Sequence, residues 1–175
     1  TAYNVAVGYD AGVSVTTGIQ NTLIGGRAGE SLTDADDNVA IGPFALLNDT
    51  LGSKTVAIGR SALSSQNFTT ATDSYNVGIG YFAGVALTTG QRNTLVGAQA
   101  GDSLTTGNNN TALGFNTLTT DTLGDRNVAI GGQALQTQNF TTSTDSYNTA
   151  VGFNAGGAVT TSVQSTLIGA LSGDA

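Results

Sequence analysis

The chain is dominated by a pentapeptide that returns ten times in fixed register. Its first three copies read Asn4-Val5-Ala6-Val7-Gly8, Asn21-Thr22-Leu23-Ile24-Gly25 and Asn38-Val39-Ala40-Ile41-Gly42. Later copies start at Thr55, Asn76, Asn93, Asn110, Asn127, Asn148 and Ser165, and close on Gly59, Gly80, Gly97, Gly114, Gly131, Gly152 and Gly169. The spacing from one start to the next runs 17, 17, 17, 21, 17, 17, 17, 21 and 17. Four units therefore make a larger module, from Asn4 to Asn76 and again from Asn76 to Asn148. A sequence with this periodicity stacks each unit on its neighbours and does not close around one central core. The expected organisation is one repeat array over 1–175, with modules 4–75, 76–147 and a partial 148–175. The chain opens one step before a repeat and stops inside one, as a segment of a longer protein would.

Counting a unit from its Asn as position 1, position 2 is Val or Thr, position 3 is Ala, Leu or Gly, position 4 is Val, Ile or Leu, and position 5 is always Gly. β-Branched residues favour strands, and nothing apolar recurs at helical spacing. Each pentapeptide therefore reads as a short strand ended by a glycine that turns the chain or admits close backbone approach. Side chains alternate along a strand, so positions 2 and 4 share one face and position 3 takes the other. Both faces are apolar, as in strands buried on both sides. A single narrow coil can enclose only one of them, so the second row calls for a partner chain. The large position-3 residues Leu23, Leu95 and Leu167 are the candidate oligomer contacts.

Downstream of each glycine a small residue, mostly Ala, suits a second short strand or bend where coils stack. Thr-Thr-Gly stretches such as Thr16-Thr17-Gly18 and Thr88-Thr89-Gly90 supply turns. Equivalent Asn residues stacked at about 4.8 Å can bond along a ladder, or can serve to tolerate a strained turn. The expected fold class is all-β: a parallel β-solenoid or β-roll of about ten coils of 17–21 residues, roughly 50 Å long at about 4.8 Å per coil.

The two 21-residue coils carry the best-preserved stretch, Gln66-Asn67-Phe68-Thr69-Thr70 to Asp73-Ser74-Tyr75 and Gln138-Asn139-Phe140-Thr141-Thr142 to Asp145-Ser146-Tyr147. Extra residues in a solenoid coil become a loop on one face. Phe68, Tyr75, Phe140 and Tyr147 are candidate loop contacts, about 19 Å apart between the two copies. Their close similarity favours the other reading, in which each Phe folds back over a neighbouring coil.

Composition narrows the chemistry. The chain has no His and no Cys, which removes the common general bases, nucleophile–base pairs, disulfides and thiolate zinc sites. An enzyme is not expected, nor a cofactor. The net charge is −7, with only Arg27, Lys54, Arg60, Arg92 and Arg126 as bases, too sparse for a stripe that tracks nucleic-acid phosphates. No apolar run approaches the roughly 18 residues of a membrane span. Asp34, Asp36 and Asp37 form the one dense acidic group. It is a weak calcium candidate, since later units lack equivalent carboxylates and a solvated turn accounts for it.

The units Asn38–Gly42, Asn127–Gly131 and Asn148-Thr149-Ala150-Val151-Gly152-Phe153-Asn154-Ala155 resemble repeats in the head domains of trimeric autotransporter adhesins. The 17-residue spacing is closer to "NTAxGxxAL…TTG" repeats of phage fibre and appendage proteins, and the 17, 17, 17, 21 pattern with its QNFTT…TDSY coil resembles repeat proteins of marine phages. This resemblance implies a left-handed coil, a homotrimer and a place on a virion surface or outside a cell. The function expected from it is a structural segment of an extracellular fibre used in host attachment, with a host cell-surface receptor as partner. The alternatives are a bacterial trimeric adhesin head and an ice-binding solenoid, the latter weakened by the irregular mix of Val and Thr at position 2.

Overall fold

The computed structural model describes residues 2–174. Ten three-residue strands, one per pentapeptide, form a single parallel sheet. They are β1 (Val5–Val7), β2 (Thr22–Ile24), β3 (Val39–Ile41), β5 (Val56–Ile58), β7 (Val77–Ile79), β8 (Thr94–Val96), β9 (Thr111–Leu113), β11 (Val128–Ile130), β13 (Thr149–Val151) and β14 (Thr166–Ile168). Each pairs with the next in repeat register, for example Val5↔Thr22, Ala6↔Leu23 and Val7↔Ile24. The 21-residue step leaves this register untouched, since Val56 still pairs with Val77. No helix occurs among the described residues. The molecule is a β-solenoid of ten stacked coils.

After the strand the chain returns through turns and not through a second full strand. Among the described residues, two-residue strands occur only beside the long coils, where β4 (Gly52–Ser53) pairs with β6 (Thr72–Asp73) and β10 (Gly124–Asp125) pairs with β12 (Thr144–Asp145). Corners are made by left-handed backbone three times per coil. Position 7 (Arg27, φ 60°; Gln99, φ 57°), position 9 (Leu46, φ 50°; Gly84, φ 57°) and position 17 (Gln20, φ 60°; Arg92, φ 58°) all adopt it. The Asn at position 1 does not, so its role is not to relieve strain in a turn.

That role is hydrogen bonding between coils. The Asn21 backbone N–H donates to Asn4 Oδ1 (2.8 Å), Asn38 N–H to Asn21 Oδ1 (3.0 Å), Asn93 N–H to Asn76 Oδ1 (2.9 Å) and Asn110 N–H to Asn93 Oδ1 (3.0 Å). Side-chain amides also donate across their own coil to position 15, as from Asn21 to Ala35 O (2.7 Å) and from Asn93 to Gly107 O (2.8 Å). One buried side chain thus ties its coil shut and its neighbour in place. A second ladder runs through the turns, where the hydroxyls of Thr16, Thr33, Thr88 and Thr105 donate to the carbonyls of Thr33, Thr50, Thr105 and Thr122.

The core is thin and built by exchange of volume. Position 3 points inward, and Leu23, Ala40, Ala57, Leu95, Ala112 and Ala129 are all buried. Coils that place Leu at position 9 (Leu46, Leu63, Leu118, Leu135) carry Ala at position 3; coils with Gly at position 9 make room for the Leu beside them. A Cβ on Gly84 would stand 2.7 Å from both Leu63 Cδ2 and Leu95 Cδ1, and one on Gly78 would meet Leu63 Cγ at 2.6 Å. Leu63 lies where a Cβ on Gly78 would stand; in the next module Ala150 and Leu135 hold the same two places.

The glycine at position 5 has φ between 115° and 139°, a region closed to L side chains. A Cβ there would also run into the next coil, as from Gly97 onto the carbonyl of Gly114. Replacing Gly97 with Ala is expected to cost about 3 kcal/mol or more, as strain and a backbone clash combine. Urea denaturation of that variant measures it; a loss no larger than that of an exposed surface substitution contradicts the account.

Candidate functional site

The face that remains open is the outer surface of the strand ladder. In β3, β5, β7, β11 and β13 the middle residue is buried while the residues on either side stay partly exposed. Positions 2 and 4 therefore look outward, in pairs such as Val39 and Ile41, Val56 and Ile58, Val77 and Ile79, and Val128 and Ile130. This reverses the sequence-based assignment of oligomer contacts. Leu23 and Leu95 are sealed inside the coil, and Leu167 packs partly buried against the same core. The reason is volume: the inner row must fit a narrow coil and alternates Ala with Leu matched to Gly, whereas the outer row of Val, Ile, Leu and Thr has no inner space to fit.

The outer face is continuous and uncharged at positions 2 and 4. Across nine steps of about 4.8 Å it runs about 43 Å. On one side it is bordered by position 6, where Tyr9, Tyr81, Phe115 and Phe153 are exposed. On the other it meets the last position of each coil, exposed and mostly polar: Gln20, Asp37, Lys54, Arg92, Asn109, Arg126 and Gln164, with Tyr75 and Tyr147 at the ends of the long coils.

The four loop candidates separate by type. Phe68 and Phe140 are buried, each held over the preceding coil, and are not contact points. Tyr75 and Tyr147 are about half exposed. Each caps a small ionic cluster: Tyr75 O–H donates to Asp73 (3.1 Å), which also pairs with Lys54, and the Lys54 ammonium lies 5.5 Å from the Tyr75 ring centre. Arg126, Asp145 and Tyr147 repeat the arrangement, with an ion pair of 2.7 Å. The partner cation holds the Asp73 carboxyl below its usual range, and the partner carboxylates raise Lys54 and Arg126 above theirs, as Glu30 does Arg27. These pairs are solvent-exposed and contribute little to stability.

Asp34, Asp36 and Asp37 do not converge. The Asp34 carboxylate accepts from the Thr17 hydroxyl, and Asp36 accepts from the Ile19 N–H (2.8 Å). Among the described residues no group of three or more acidic side chains is placed to hold a metal ion, and no enclosed cavity forms.

A polar group missed at the level of sequence lies inside each of the two full modules. At position 12, where ordinary coils carry Leu32, Leu87 and Leu104, the long coil and the coil before it carry Gln66 and Asp49, and again Gln138 and Asp121. Asp49 accepts from Gly52 N–H (3.1 Å), Phe68 N–H (2.9 Å) and Gln66 Nε2 (2.5 Å). Asn76 Nδ2 then donates to Gln66 Oε1 (2.9 Å). The network stands where the long coil interrupts the Asn ladder. Thr55 cannot reach the next coil, so its hydroxyl pairs with Ser74 (2.6 Å), which accepts from Asn76 N–H (3.2 Å). In the second module Asn127 holds that place, but its reach to Asn148 N–H stretches to 3.4 Å and its oxygen takes the Ser146 hydroxyl at 2.8 Å. The trace of the network in the sequence is Asp or Gln at a position 12 that is otherwise aliphatic (Val15, Leu32, Leu87, Leu104, Val159).

Comparison with protein-family models, with curated proteins and with solved structures finds no match.

Burial pushes the Asp49 carboxyl above its ordinary value, against the opposing pull of its N–H donors. A carboxyl raised in the folded chain binds its proton more tightly there than in the unfolded chain. Its contribution to stability is then complete below the ordinary value of 3.8 and declines as pH rises through the raised one. Asp49→Asn removes this dependence and turns an amide toward the Gln66 amide, a mismatch of about 1–3 kcal/mol. The melting temperature of the native chain relative to this variant is expected to rise as pH is lowered from about 7 to 4. A difference that stays flat or falls contradicts the assignment.

Proposed function

We propose that this chain is a structural segment of an extracellular fibre, built by association of identical copies through the outer strand face, and that the fibre serves in attachment to a host cell. The observation that carries the reading is the uncharged row at positions 2 and 4, aliphatic throughout position 4 and divided between Val and Thr at position 2, which runs the length of the rod. Exposed apolar patches of this extent mark association surfaces. A partner that covers such a row must itself be straight, of similar length and of the same rise per coil, which a second copy of the rod is. Three copies arranged about a common axis place equal coils at equal heights and leave no outer face uncovered, in keeping with the homotrimer that the repeat resemblance implies. Fixed coil height makes length a function of repeat count, and side-by-side copies give avidity at a tip.

A flat outward ladder is also what an ice-binding solenoid would use. Here position 2 alternates without order between Val (Val5, Val39, Val56, Val77, Val128) and Thr (Thr22, Thr94, Thr111, Thr149, Thr166), and position 4 offers no hydroxyl. This composition favours dry packing against a copy over a regular hydroxyl array.

Light scattering coupled to size exclusion is expected to show an oligomer, with Ile79→Glu reducing it to a folded monomer of unchanged β circular dichroism. Leu95→Asp, by contrast, places a charge in the core and is expected to unfold the coils around it, not simply to separate the copies. A native chain that is monomeric at high concentration overturns the proposal. So does thermal hysteresis by that monomer, which would give the outer face to ice.

A further inference from the structure

The border row at position 6 carries an alternation that neither the core nor the outer strand face requires. Odd-numbered coils place a ring there: Tyr9, Pro43, Tyr81, Phe115 and Phe153. Even-numbered coils place Gly26, Arg60, Ala98, Gly132 and Ala170, all small except Arg60. The row is held at coil spacing by backbone hydrogen bonds at this position, from Gln99 N–H to Tyr81 O (2.9 Å), Asn116 N–H to Ala98 O (3.1 Å), Gln133 N–H to Phe115 O (2.9 Å) and Asn154 N–H to Gly132 O (2.9 Å). Rings therefore recur every two coils, about 9.6 Å apart.

Tyr81, Phe115 and Phe153 are each about half exposed, at 49%, 55% and 58%. The ring of Phe153 lies along the rod over the small residue beside it, with Cδ2 3.8 Å from where a Cβ on Gly132 would stand. The Tyr81 ring leans instead on Phe82, with ring centres 4.1 Å apart. From Tyr81 to Ala170 the row carries no charge, and the adjoining position 7 supplies the carboxamides of Gln99, Asn116, Gln133 and Asn154. Of these, Asn116 Oδ1 is buried without a partner and Asn154 Nδ2 donates to Asp174 (2.6 Å).

We propose that the position-6 row is a binding track for a neutral, extended β-linked polysaccharide. In such a flat ribbon the same sugar face recurs at every second residue, close to the pitch of two coils. An aromatic face takes the C–H-bearing face of a sugar ring, and the intervening sugar crosses the uncharged step between rings. The absence of charge between Tyr81 and Ala170 selects against anionic polymers. The proposal names a ligand class for the attachment fibre and does not depend on the number of copies in it.

The test is co-sedimentation of the full chain with microcrystalline cellulose and, separately, with chitin. The native chain is expected to be depleted from solution by at least one of them. The triple variant Tyr81→Ala, Phe115→Ala, Phe153→Ala is expected to lose roughly tenfold or more of that affinity while its melting temperature stays within a few degrees, because the rings are exposed. The double variant Tyr75→Ala, Tyr147→Ala, on the opposite border, is expected to bind as the native chain does. Binding to neither polymer, equal binding by the triple variant, or equal loss in the double variant overturns the proposal. So does a triple variant whose change is confined to its oligomeric state by light scattering, which would make the row a self-association surface. A native chain that is monomeric yet binds would sink the oligomer reading and leave this one standing.

Discussion

The position-1 Asn ladder is the interaction on which the rest of the solenoid depends. A coil this short is too small to hold a core that fixes its own shape, and a three-residue strand is too short to hold its register. The Asn side chain answers both needs with one amide. Its oxygen takes the N–H of the next coil, and its nitrogen closes its own coil onto position 15. The amide is buried, so each bond forms where water cannot compete and where an unpaired group would cost more than the bond contributes. Because the bond from coil to coil uses the next residue's backbone and not its side chain, the ladder tolerates Thr55 or Ser165 as an end point: the Thr55 and Ser165 N–H groups still donate to Asn38 and Asn148. What Thr55 cannot do is pass the ladder on, and the Asp49–Gln66–Asn76 network is placed at that break, beside the Thr55–Ser74 pair.

With register fixed in this way, side chains need only fill the space that is left. The inner row is not a repeat of one residue but a set of matched volumes. Leu at position 9 goes with Ala or Gly at position 3, and Gly at position 9 with a Leu from the same or the next coil. The left-handed corners make this exchange inexpensive for glycine and tolerable for Leu46, Leu63, Leu118 and Leu135, whose buried side chains offset the strain of φ near 50°.

Much of this is legible in the pentapeptide. Its length, its β-branched residues and its terminal glycine specify the strand and the turn, and its spacing specifies the coil count. The inward face is not legible there, because hydrophobicity points the wrong way: Val and Ile outrank Ala, yet Ala lies inside. In a thin coil the limit is space, not affinity for the interior. The clue is the matching of Leu23, Leu95 and Gly78 with residues six to fifteen positions away in the chain. The buried Phe68 and Phe140 are readable as structural from the likeness of their two loops. Tyr75 and Tyr147 stand at left-handed corners (φ 52° and 51°) and are about half exposed, whereas Leu46 and Leu63 at such corners are buried, so the corner alone does not decide which way a side chain faces.

The four-coil module makes the outer surface phase-coherent. The four extra residues of each long coil leave the ladder before it reaches the next strand, so Val56 and Val77 pair just as the strands of two ordinary coils do. Insertion therefore changes the side of the rod and not its pitch. Four is an even number, so a two-coil alternation at position 6 restarts in the same phase in every module: Tyr9, Tyr81 and Phe153 are equivalent, as are Pro43 and Phe115. An odd module would have put ring beside ring at each junction. Duplication of such a module lengthens the apolar face and the aromatic border together without a phase error, which gives a selective reason for a repeat of four coils over a uniform repeat of one.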